Sequence, residues 1–117
     1  MMATEHIIRM PRGLHEETQD LVKRFAEAMA QKLYDAEQKY GYDDGWMSDN
    51  WMGECRENLY EHLAKGDPRD VANYCAFLWH HKETTAPNDW SHVMEIATTM
   101  IDILMERQLP PPPQDQG

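Results

Sequence analysis

Residues 51–78 read WMGECRENLYEHLAKGDPRDVANYCAFL, and their spacing decides the fold. Trp51, Cys55, Leu59 and Leu63 recur every four residues, which places them on one face of a helix. Gly66 supplies the left-handed residue that ends it. Asp67 and Pro68 then read as an N-cap followed by proline at the first helical position, and Asp70 falls near the positive end of the new helix dipole. The second helix carries Val71, Cys75 and Leu78 on one face and runs to about His81. A connection this short predicts an antiparallel helix hairpin.

Upstream of the hairpin, Leu21, Val22, Phe25, Met29, Leu33, Ala36 and Tyr40 recur at three-to-four spacing and Gly41 closes the run, so a helix is expected over residues 14–40. Residues 41–50, GYDDGWMSDN, cluster turn formers around aromatic side chains and read as a loop, with Ser48 or Asp49 available to cap the helix that follows. Downstream, a loop over 82–87 leads to Asn88 or Asp89 as cap of a last helix whose Val93, Ala97, Met100, Ile101 and Leu104 are expected to face inward. Pro110 to Pro113 end it.

The expected fold class is therefore all-α: a four-helix bundle-like domain over residues 14–109 with a central antiparallel hairpin, an N-terminal arm over 1–13 and a flexible Pro-rich tail over 110–117. Ile96, Ile103 and Met105 give the last helix more apolar surface than one buried stripe needs, so a homodimer is expected.

The 117 residues suit one domain, able to bury roughly two thirds of the unfolded surface. Nine Met and four Trp point to a core filled by adaptable and bulky side chains. Twenty-one acidic against 11 basic residues give a net charge of −10, which disfavours direct nucleic-acid binding and attraction to anionic membranes. No stretch reaches the roughly 18 consecutive apolar residues of a membrane span. The first residues lack the apolar core of a signal peptide, and Cys55 and Cys75 are the only cysteines, so a cytoplasmic location with reduced thiols is expected. Their spacing to His80 and His81 lacks the close ligand pairs of a zinc site.

Acidic side chains carry the candidate chemistry. Glu54, Glu57 and Glu61 share one helix face, and Asp67 and Asp70 repeat the three-residue spacing beyond the turn. Two such faces brought together offer the oxygen ligands that magnesium prefers. Glu61 and Asp70 lie at similar heights above the Gly66 turn, with Glu57 one turn further away, and these three are the expected meeting point. Glu54 stands about 18 Å up the helix from Gly66, too far to share an ion with Asp67. Lys65 and Arg69 flank the turn within reach of phosphates, Trp46 offers a ring on which a base could stack, and His62, His80 and His81 lie at helix ends.

The segment from Asp70 to Leu78, DVANYCAFL, resembles the D-V-A-N-F-A-M-M type segment of small, often phage-encoded, MazG-like all-α nucleotide pyrophosphohydrolases. The resemblance covers about residues 46–81. It implies that Glu54 and Glu57 form the first acidic pair and Asp67 and Asp70 the second, Asp67 standing where the family has glutamate. It further implies that Mg2+ is held by these acids while water attacks a nucleoside triphosphate to release pyrophosphate. The bare residues leave a second reading open. The three glutamates lie opposite Leu59 on the helical wheel, the ordinary pattern of a solvated face, and Asp67 and Asp70 sit where caps and dipoles want acids. That reading makes the chain a noncatalytic acidic protein-binding module, such as a phage accessory or anti-defence factor that engages a host protein.

Overall fold

The computed structural model describes residues 4–41 and 44–108. They form an all-α protein of four helices: α1 (Glu16–Tyr40), α2 (Met52–Lys65), α3 (Pro68–His80) and α4 (Trp90–Gln108). The chain divides into two compact units, Met1–Gly41 and Tyr42–Gly117. The Pro-rich tail expected over 110–117 lies outside the described residues.

The first unit is α1 and the segment before it. Residues 4–13 form no helix or strand, and a turn joins Leu14 N–H to the Pro11 carbonyl at 3.2 Å. His15 caps α1 by accepting from Glu17 N–H at 3.1 Å, and Glu16 and Glu17 meet the positive end of the dipole. Gly41 ends the helix at φ 76°, its N–H donating to the Glu37 carbonyl at 2.9 Å. Along its exposed side, Arg24 pairs with Asp20 at 2.7 Å. No residue of α1 is fully buried, although its apolar residues recur at helical spacing.

The second unit holds the core, and α2 packs against both α3 and α4. Met52, Cys55, Leu59, Tyr60 and Ala64 of α2 are buried with Leu78 of α3. Trp51, Val71, Tyr74, Cys75, Phe77 and Ile96 pack around this cluster. The start of α2 meets the end of α3 through Trp51 and Phe77, and its last turn meets the start of α3 through His62 and Asp70. Between the helices, Gly66 turns at φ 96° with its N–H on the His62 carbonyl, and Asp67 accepts from Arg69 N–H at 2.9 Å ahead of Pro68. These are the stop and start signals that the sequence carries at this point.

Three expectations are corrected. Leu63 is exposed rather than part of the buried stripe. By helical spacing Leu63 shares the sector of the buried Met52 and Leu59, so its exposure comes from its place in the last turn of α2, three residues from the Gly66 stop, rather than from its face. Ser48 and Asp49 do not cap α2. The Ser48 hydroxyl is spent on Asn50 at 2.9 Å after a 3₁₀ turn over Gly45–Met47, and Trp51 takes the cap position with no side-chain hydrogen bond. In α4, Ile101 and Leu104 are exposed, and Ile96 reaches the core instead.

The loop from α3 to α4 is tied down by α2. Lys82 turns the chain at φ 58°, while Lys82 N–H and Glu83 N–H donate to the carbonyls of Trp79 and Leu78, a Schellman closure with lysine where glycine is usual. Arg56, 7% exposed, donates to the Thr84 carbonyl at 2.9 Å, to Glu83 at 3.0 Å and to Asn88 at 3.4 Å. The Tyr60 hydroxyl donates to the Thr85 carbonyl at 2.6 Å. Asp89 then caps α4 by accepting from His92 N–H at 2.9 Å.

Removing a buried charge partner leaves its acceptors unpaired, which costs more than a surface ion pair returns. Arg56→Met is therefore expected to lower unfolding stability by about 2–4 kcal/mol, and Tyr60→Phe by about 1 kcal/mol. Urea titration reads both from the midpoint; a loss below about 0.5 kcal/mol for Arg56→Met would show that the loop does not depend on this contact.

Candidate functional site

The acids singled out by the sequence lie along α2 and across the Gly66 turn, and Glu57, Asp67 and Asp70 have separate neighbours. Glu54, Glu57 and Glu61 are all exposed on α2. Glu57 has the most specific environment: its Oε1 lies 3.6 Å from His92 Nε2 on α4. His92 Nδ1 accepts from Asn88 N–H at 3.2 Å, so in the neutral ring the proton sits on Nε2, facing Glu57. Tyr60 packs edge-on against the same imidazole.

Asp70 turns the other way. Its Oδ2 lies 3.5 Å from His62 Nδ1, too long for a strong hydrogen bond, and that buried nitrogen has no hydrogen-bond partner. His62 also stacks on Tyr74, with ring centres 5.0 Å apart. Asp67 is engaged by Arg69, whose Nε and Nη2 donate to its two oxygens at 3.1 and 2.7 Å. Arg69, expected to face phosphate, thus closes a local pair with the cap of its own helix. Lys65 is exposed at the end of α2.

Trp46 is occupied as well. Its ring stacks on Phe77 with planes 14° apart, His80 approaches it edge-on, and His81 Nε2 lies 2.7 Å from its carbonyl oxygen. These contacts make it a cover over the end of α3. They also give His80 and His81 a packing role there.

Among the described residues, no group of three or more His, Cys, Asp or Glu side chains stands positioned to hold a metal ion. Glu57, Glu61 and Asp70 are not gathered around one point in this arrangement. Cys55 is fully buried, and burial pushes its thiol up to about 11, so it stays protonated and unreactive at neutral pH. Burial also raises the Tyr60 hydroxyl above its ordinary value, in keeping with its place as a donor to the loop.

Arg56, Tyr60 and His92 were not among the residues that the sequence singled out. A signal existed for Arg56: a cation between Cys55 and Leu59 on an otherwise apolar side of the helix must find buried acceptors. His92 gave none, because its partners come from another helix and from the residue four positions before it.

Residues that share a site couple energetically, and residues with separate partners do not. A double-mutant cycle between Glu57→Gln and Asp70→Asn is expected to return a coupling below about 0.5 kcal/mol in unfolding stability. A coupling above about 1 kcal/mol would place both carboxylates in one electrostatic site. The chain matches no protein-family model, no curated protein and no solved structure.

Proposed function

We propose that this chain is a noncatalytic protein-binding module whose α2 acids form a negatively charged ridge for a basic surface on a partner protein. The single observation behind this reading is that Glu54, Glu57 and Glu61 stay exposed along one side of α2. Carboxylates held in water keep their charge and act over a distance set by ionic strength, which suits recognition of a cationic surface better than chelation. The ridge is backed by the buried face of the same helix, so its three side chains are displayed from a packed element. In this reading the α2–α3 pair is an antiparallel hairpin that serves as scaffold, and the partner is a host protein in the cytoplasm of a bacterial cell, as expected for a phage accessory or anti-defence factor. No described helix is long and apolar enough to cross a membrane.

A second reading is a MazG-like nucleotide pyrophosphohydrolase that binds Mg2+ and a nucleoside triphosphate. The observation that favours it is the turn at Gly66, which brings Asp70 of α3 beside the last turn of α2 at His62. It further requires Glu57 and Glu61 to swing toward Asp70 when the cation binds.

One experiment separates them. The triple variant Glu54→Gln, Glu57→Gln, Glu61→Gln is expected to weaken partner capture from the source cell extract at low salt by at least about tenfold, while neutralising Glu16, Glu17 and Asp20 on α1 leaves it unchanged. Magnesium with a panel of nucleoside triphosphates is expected to leave the melting temperature unchanged. Capture that survives the triple variant overturns the ridge. A joint rise in melting temperature with magnesium and one nucleotide, abolished by Asp70→Asn, establishes the enzyme reading instead.

A further inference from the structure

We draw no further inference here: the strongest candidate, the exposed apolar arc of α4 formed by Trp90, Met94, Ile101, Leu104 and Met105, is an unpartnered helix face, and nothing in the structure shows what covers it.

Discussion

Burial along α2 is the constraint on which the second unit depends. Among the described residues, its Met52, Cys55, Leu59, Tyr60 and Ala64 make up the buried apolar core together with Leu78 of α3. Apolar burial of this kind is worth about 1.5–3 kcal/mol for each large side chain, so losing α2 removes most of the drive that holds α3 and α4 in place. Arg56 extends the same helix's reach by another means. Its guanidinium crosses from α2 to the Glu83–Asn88 loop, fixing the carbonyl of Thr84 and hence the point where α4 begins.

This arrangement separates charge from apolar surface. The acids of α2 face water on the side away from its core, while α4 buries one arc, charges a second and leaves the third bare. A small protein with a small core gains little from spare apolar surface unless something covers it. The two exposed surfaces thus differ in kind: a hydrated negative ridge acts at a distance, and apolar surface acts only on contact.

How much of this was legible in the sequence follows from how local each determinant is. Gly41, Gly66, Asp67 with Pro68, and Asp89 mark helix ends through their own backbone and nearest neighbours, and the structure uses all of them. Ser48 looked equally good as a cap, yet Asn50 takes its hydroxyl, a competition that residue type alone does not rank. The division of α4 into inner and outer faces was less legible, because apolar residues fall on both arcs and only the position of α2 selects Ile96 over Ile101. The acids were legible as a helix face but not as a site. Their directions depend on His92 from α4 and on His62 across the turn, which helical spacing within one segment does not reveal.

Native-state hydrogen exchange tests the central role of α2 most directly, because exchange through global unfolding reports the most stable element. The account predicts that the slowest amides lie between Cys55 and Ala64, that their opening free energy equals the global value, and that Arg56→Met lowers protection in both α2 and the first turn of α4. Slowest exchange in α1 or α4, with α2 opening at lower free energy, would contradict it.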